Sequence, residues 1–200
     1  MLSGTRAQYM KKSRLEAFSD GVLAIIITIM VLELKVPHEP TLAALRLLWP
    51  TLLSYLLSFV FVGINWNNHH HLWQVAEQVN GAVLWANLHL LFWLSLVPFV
   101  TAWMGENKFA TVPVAIYGVV LLGSGIAYFV LTRLLLASHG RDSRLARALG
   151  NDFKGRISLV IYLAGIAVAF VLPWFAGLLY GVVAAIWLLP DRRIEKMLST

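Results

Sequence analysis

The sequence predicts an all-α membrane protein with six membrane-spanning helices, and three observations support this. Hydrophobic residues make up 59% of the 200 positions and charged residues only 13%, and the mean hydropathy is +0.73. The apolar residues form runs that approach or exceed the roughly 20 residues a helix needs to cross a bilayer. Lysine and arginine cluster in alternate connections between these runs, as the positive-inside rule predicts. The net charge of +6 therefore indicates membrane topology, and no nucleic-acid partner is expected.

The first run is unusual because only residues 21–32 are free of charge. To cross the hydrocarbon core, the helix must extend over about residues 14–36, which brings Glu16, Asp20 and Glu33 to membrane depth. Ionisable residues at that depth usually face the interior of a bundle or a water-filled path. The first helix is therefore the best candidate to contact water.

The other five spans follow from charge-free runs in one domain, 1–200. The last run is too long for a single crossing, since one helix over residues 157–189 would be about 50 Å long against a core of about 30 Å. Pro173 lies within it, and proline in mid-run favours a break. The predicted spans after the first are 47–68, 81–104, 109–133, 155–172 and 173–190.

The distribution of basic residues predicts that both termini lie in the cytoplasm. With six spans and this orientation, 13 lysines and arginines are cytoplasmic and 3 are outside. Six of the 13 lie in the fourth connection, residues 133–156. We expect a solvated connector there; the alternative is a short amphipathic helix that recognises anionic membrane lipids.

A helical wheel separates two sets of residues on the first helix. At 100° per residue, one narrow stripe contains Phe18, Gly21, Ile25, Thr28 and Leu32. Ser19 and Asp20 lie well away from this stripe. Asp20 should therefore point toward other helices, where a carboxylate needs a partner.

Candidate partners of Asp20 are polar residues at the end of the second span and in the third. The sequence does not indicate which histidine contacts Asp20. Adjacent histidines on a helix diverge by about 100°, so the three consecutive ones cannot all face one ion and no metal site is expected. The candidates are Asn65, Trp66, Asn67, Asn68, His69, His70, His71, Asn87 and His89.

Two motifs together resemble those of the transmembrane-protein-175 family of potassium channels, in particular its bacterial members with one six-helix unit. The first is RxxxFSD at the start of the first helix, and the second is Trp-Asn-Asn-His-His-His at the end of the second. The resemblance implies a homotetramer in the bacterial plasma membrane, with a central pore lined by the first helices. It implies potassium as the permeant ion, no cofactor and no enzymatic activity.

The resemblance also assigns roles to individual residues. It implies a hydrophobic constriction just past the FSD motif, and it implies that the motif itself braces the pore helix. The implied pore residues are Ile25, Thr28 and Leu32, and the implied bracing residues are Arg14, Phe18, Ser19, Asp20, Trp66, His70 and His71.

The mechanism implied differs from that of channels with a carbonyl filter. The only echo of a TVGYG motif is Ile116-Tyr117-Gly118, inside the fourth span. A narrow ring of isoleucines offers no oxygen to an ion, so it would favour the ion that sheds water more readily, which is potassium over sodium. Glu33 and Glu39 are expected near the outer end, where they would concentrate cations.

The alternative function is a secondary transporter or proton-coupled carrier. Such a protein should carry inverted repeats and helices broken at mid-membrane, and the sequence has no convincing repeat. A membrane enzyme is the third option, and it lacks clustered carboxylates, an HExxH motif and a nucleophile motif.

Overall fold

The computed structural model describes residues 12–76, 79–140, 143 and 153–188. Within these ranges the regular elements are all α-helices. They are α1 (Lys12–Leu32), α2 (Leu42–Leu47), α3 (Trp49–Val75), α4 (Gly81–Ser95), α5 (Val97–Glu106), α6 (Thr111–His139), α7 (Phe153–Ala169) and α8 (Pro173–Leu188).

Among the described residues, four helical segments are long and apolar enough to cross a membrane, judged by length and composition. They are Lys12–Leu32, Trp49–Val75, Gly81–Glu106 and Thr111–His139. Two shorter helices follow, α7 with 17 residues and α8 with 16. Most of the connection between α6 and α7, and the tail after Leu188, lie outside the described residues, as do eight of the 16 lysines and arginines on which the predicted orientation rests.

The first helix ends at Leu32, four residues before the predicted end at residue 36. Pro37 excludes the predicted end, because proline has no N–H to donate and pushes the preceding residue, Val36, out of the helical conformation. The chain closes with a tighter turn, in which the N–H of Leu34 bonds to the carbonyl of Val31 at 3.2 Å. A new helix, α2, starts after Thr41, whose hydroxyl accepts from the N–H of Ala44 at 3.2 Å.

The third helix extends to Val75, seven residues beyond the predicted span. The polar stretch 66–71 is therefore helical, and its side chains keep the helical spacing that lets positions three and four apart meet on one face. At 1.5 Å per residue, 27 residues give a length of about 40 Å. The polar end of α3 thus continues the apolar helix without a break.

The predicted third span is kinked at Leu96, between α4 and α5. Pro98 is the second residue of α5 and cannot donate a backbone hydrogen bond. Leu96 nevertheless keeps nearly helical angles (φ −81°, ψ −14°), and its N–H bonds to the carbonyl of Trp93 at 3.2 Å. The segment is therefore a proline-kinked helix and not an unwound one.

The last two helices form a tight hairpin. α7 ends at Ala169, and the N–H of Leu172 bonds to the carbonyl of Val168 at 2.8 Å. Pro173 is the first residue of α8, a position that suits proline because its missing N–H has no helical partner to lose.

Glycines allow α4, α6 and α8 to pack closely. A Cβ on Gly123 of α6 would overlap the indole ring of Trp93, and one on Gly118 would overlap the ring of Tyr180. Residues from these three helices and from α3, α5 and α7 share one buried core. One side of α1 also belongs to this core.

Candidate functional site

The first helix has one buried side and one exposed side. The buried residues recur every three or four positions: Leu15, Ser19, Leu23, Ile26 and Met30. The predicted stripe lies on the exposed side, with Ile25 58% exposed and Leu32 80% exposed. On the wheel, the exposed residues cover an arc of about 160°, and the stripe occupies its middle.

Thr28 presents oxygen rather than a proton to the exposed side. Its hydroxyl donates to the carbonyl of Ile25 in the same helix at 2.9 Å. A hydroxyl has one proton and two lone pairs, so the lone pairs remain available. Thr28 is therefore suited to face a cation.

On the buried side, Ser19 begins a hydrogen-bond network that joins α1 to α4 and α3. Its hydroxyl donates to the carbonyl of Leu15 at 2.9 Å and accepts from the Asn87 amide at 3.0 Å. The Asn87 side-chain oxygen lies 2.8 Å from Nε2 of His69. All three side chains are almost completely buried, at 0% exposure for Ser19 and Asn87 and 1% for His69.

The ring of His69 has two neighbours on one nitrogen. Nε2 also lies 2.8 Å from the indole Nε1 of Trp73. An indole N–H only donates, so a protonated Nε2 bonds to Asn87 and an unprotonated one accepts from Trp73. Nδ1 of His69 is buried and has no partner among the described residues. The network thus centres on Asn87, which is the one side chain that contacts both Ser19 and His69.

Asp20 is held by a tryptophan and not by a histidine. The indole Nε1 of Trp66 donates to its carboxylate at 3.1 Å. The ring of Trp66 stacks on His70 with ring centres 5.9 Å apart, and Nδ1 of His70 lies 3.5 Å from the carboxylate of Glu16. Two carboxylates of α1 therefore face two consecutive turns of α3.

Three of the predicted bracing residues make no bracing contact within the described part of the subunit. Arg14 is exposed and has no hydrogen bond or ion pair there. Phe18 is 53% exposed and lies on the stripe. The ring of His71 contacts that of His70, while its Nδ1 is buried without a partner. Their bracing role remains a prediction about the assembly.

A second buried polar cluster was not predicted. Oγ1 of Thr101 in α5 lies 2.6 Å from Oγ of Ser58 in α3, and Ser58 lies 3.0 Å from the hydroxyl of Tyr117 in α6. The signal in the sequence was three hydroxyl residues in otherwise apolar spans. Tyr117 is completely buried, so it ties helices together and is not part of a filter.

At the other end of α1 the charges are exposed. Nζ of Lys35 lies 2.6 Å from the carboxylate of Glu106 at the end of α5. This hydrogen bond and the negative charge of Glu106 raise the pKa of Lys35 above its usual value. Glu33 and Glu106 border a groove between α1 and α5 whose walls include Phe99 and Trp103.

The chain is similar to several known proteins. A family model described as "Endosomal/lysosomal potassium channel TMEM175" matches residues 14–98, from Arg14 of α1 into the start of α5. A potassium channel of Chryseobacterium sp. (strain P1-3) is 56% identical over 190 residues, which cover 95% of this chain and 99% of that protein. A potassium channel of Chamaesiphon minutus is 32% identical over 177 residues, covering 82% and 86% of the two chains.

A solved structure also superposes on the chain. It is the crystal structure of a lysosomal potassium-selective channel TMEM175 homologue from Chamaesiphon minutus, with a TM-score of 0.78 and 31% identity. The match covers 90% of this chain and 97% of that one. With more than half of its residues shared with one relative along nearly the whole length of both, the chain belongs to the TMEM175 family.

Proposed function

We propose that this chain is the subunit of a potassium channel whose pore is lined by α1. The observation that carries the proposal is the match, over 95% of the chain, to a relative named as a potassium channel. The TMEM175 homologue with the similar fold is described as potassium-selective. The chain is a multi-pass membrane protein, and an enzymatic role has no support among its relatives.

The exposed arc of α1 supports a homotetramer around a central pore. In a four-fold ring, each pore helix turns one strip to the axis and its two flanks to neighbouring copies. The exposed arc of about 160° is wide enough for both. The flanks hold small residues, Ala17 and Ala24, on one side and Ile29 on the other, and small residues let membrane helices approach closely.

Six membrane crossings with both termini in the cytoplasm of a bacterium fit the charge distribution best. The helices α7 and α8 are each about 25 Å long, slightly shorter than the hydrocarbon core, and a tight hairpin can cross at modest cost through local thinning of the bilayer. With this orientation the start of α1 faces the cytoplasm and Glu33 faces outward.

Selectivity in this channel is modest and comes from the constriction at Ile25. Four isoleucine side chains cannot replace the water around an ion, so the ion that sheds water more readily passes more readily. Potassium holds its water less tightly than sodium does. One turn further, the lone pairs of Thr28 offer a polar ring to the ion. Leu32 forms the last apolar ring, and Glu33 and Glu39 raise the local concentration of cations.

The kink at Leu96 is the one feature that a transporter would share. In transporters, helices broken at mid-membrane use free backbone carbonyls to hold ions. Here the N–H of Leu96 bonds to the carbonyl of Trp93 and the N–H of Val100 bonds to the carbonyl of Leu96, both at 3.2 Å, so backbone hydrogen bonding continues on both sides of the kink. The kink therefore does not favour a carrier over a channel.

The test is a current measurement on the purified protein in lipid bilayers under a potassium/sodium gradient. The wild type should carry a passive current whose reversal potential is shifted from zero toward the potassium equilibrium potential. Ile25→Asn should change the potassium/sodium permeability ratio by at least about threefold. Since a tenfold change corresponds to about 1.4 kcal/mol, this is a difference of about 0.7 kcal/mol between the two ions. The matched control is Ile126→Asn, since Ile126 is a similarly exposed isoleucine (43%) on α6, away from the stripe.

Two results would contradict the proposal. One is a saturable flux coupled to a substrate without any channel current, which would indicate a carrier. The other is an equal change of permeability ratio in Ile25→Asn and Ile126→Asn, which would remove Ile25 from the pore.

A further inference from the structure

Arg14 lies on the same line of α1 as the predicted constriction. On the helical wheel it falls within about 20° of Ile25, three turns away. It is exposed. Lys12, only two residues earlier, falls near 140° on the opposite side and is half-buried. Two neighbouring cations thus face in different directions.

The charge of Arg14 is not neutralised within the described part of its own subunit. The nearest carboxylates on α1 are engaged on the other side of the helix. Asp20 accepts from Trp66 at 3.1 Å, and Glu16 lies 3.5 Å from His70. Each contact directs its carboxylate toward α3 and away from the stripe. The guanidinium has neither a hydrogen bond nor an ion pair with the residues described.

We propose that four copies of Arg14 form a cationic ring at the cytoplasmic mouth of the pore, which limits the entry of potassium from that side. This inference rests on the proposed function. It adds a residue that makes outward and inward currents unequal. The ring would stand about 17 Å from the constriction, at 1.5 Å per residue over 11 residues. Low-dielectric pore walls focus the field of such charges, which lowers the local cation concentration. Outward current should be reduced more than inward current.

A cationic ring and a brace make different demands on the side chain. A brace uses the planar guanidinium fork to make paired hydrogen bonds, which lysine cannot reproduce. A ring requires only a positive charge at that point. Arg14→Lys should therefore preserve the function of a ring and lose that of a brace, whereas Arg14→Gln removes both.

The experiment records potassium currents in inside-out patches, where the orientation of the channel is known, with equal potassium on both sides. At an ionic strength of about 0.1 M, Arg14→Gln should raise the ratio of outward to inward current by about two- to tenfold. At about 1 M the difference between variant and wild type should largely vanish, because the screening length falls to about 3 Å. Arg14→Lys and the matched control Lys12→Gln should both give the wild-type ratio.

Three outcomes would overturn the inference. The first is an unchanged current ratio in Arg14→Gln at low salt. The second is an equal change in Lys12→Gln, which would assign the effect to general surface charge. The third is loss of the tetramer in Arg14→Gln while Lys12→Gln assembles normally, which would make Arg14 a structural contact. Failure of the proposed function is distinguishable, since it would leave the wild type itself without potassium current.

Discussion

The two sides of α1, a helix of 21 residues, differ in burial and in polarity. The buried side carries Ser19, and Asp20 lies half-buried at its edge; each is bonded to a neighbouring helix. The exposed side is mostly apolar around Ile25 and makes few contacts within the subunit. The polar residues are therefore engaged within the subunit. In the proposed channel, aliphatic side chains and a threonine would line the path of the ion.

The physical reason lies in the solvent that surrounds the helix. A polar side chain at membrane depth is costly unless it is hydrogen-bonded, so it is satisfied inside the subunit. An aliphatic side chain has no such need and can be left on the surface that meets other copies or water. In the proposed tetramer, the exposed side of α1 would form such a surface.

The largest effect is expected where the buried network is interrupted at its centre. Asn87→Leu keeps a similar volume but leaves Ser19 without its donor and His69 without its amide partner. The free energy of unfolding should fall by about 2 kcal/mol, the cost of stranding buried polar groups. Denaturant titration in detergent would measure it.

Asn67 supplies the matched control for that experiment. It is an exposed asparagine on α3 for which the described structure contains no hydrogen bond, so Asn67→Leu should leave the free energy of unfolding nearly unchanged. If the two variants behaved alike, the network around Asn87 would contribute nothing, and the contrast between the two sides of α1 would fail.

A smaller effect is expected at the half-exposed contact between α1 and α3. Trp66→Phe keeps an aromatic ring against His70 but removes the hydrogen bond to Asp20. The loss should be about 1 kcal/mol, and a double-mutant cycle with Asp20→Ala, which removes the acceptor, should return most of it as coupling energy. Trp85, which is 75% exposed, gives the control Trp85→Phe. An additive cycle would contradict the assignment of the bond.

The sequence predicts part of this site and leaves part of it open, for identifiable reasons. Helical periodicity alone places Ser19 and Asp20 off the stripe, since that follows from the 100° step within one helix. The partners depend on the rotation and depth of α3 and α4 relative to α1, which no local pattern encodes. For that reason the sequence offers nine candidate partners for Asp20, with a histidine expected among its contacts, and only the structure selects Trp66 from them.

Helix ends show the same division between local and tertiary information. Pro173 marks the start of α8 because the effect of proline on the backbone is local. The end of α3 was placed at residue 68, where hydropathy falls, yet the helix continues to Val75. His69, Asn87 and Trp73 account for this, because their contacts keep a polar segment helical in the core.

The smallest effect is expected at the outer end of α1, where Lys35 pairs with Glu106 on an exposed surface. Such pairs contribute little, since water screens them and long side chains lose freedom when they pair. Lys35→Gln should lower the thermal midpoint in detergent slightly at low salt and not measurably at high salt.

The raised pKa of Lys35 predicts how this stabilisation depends on pH. The contribution of the ion pair to stability is complete below pH 10.5, and it is lost only as the pH rises through the higher pKa of the folded state. From pH 7 to 9 the difference between variant and wild type should therefore be constant. Lys108→Gln, at another exposed lysine, is the control. A loss larger than that of Trp66→Phe would mean that α1 is anchored at its outer end and not by the polar contacts of its first half.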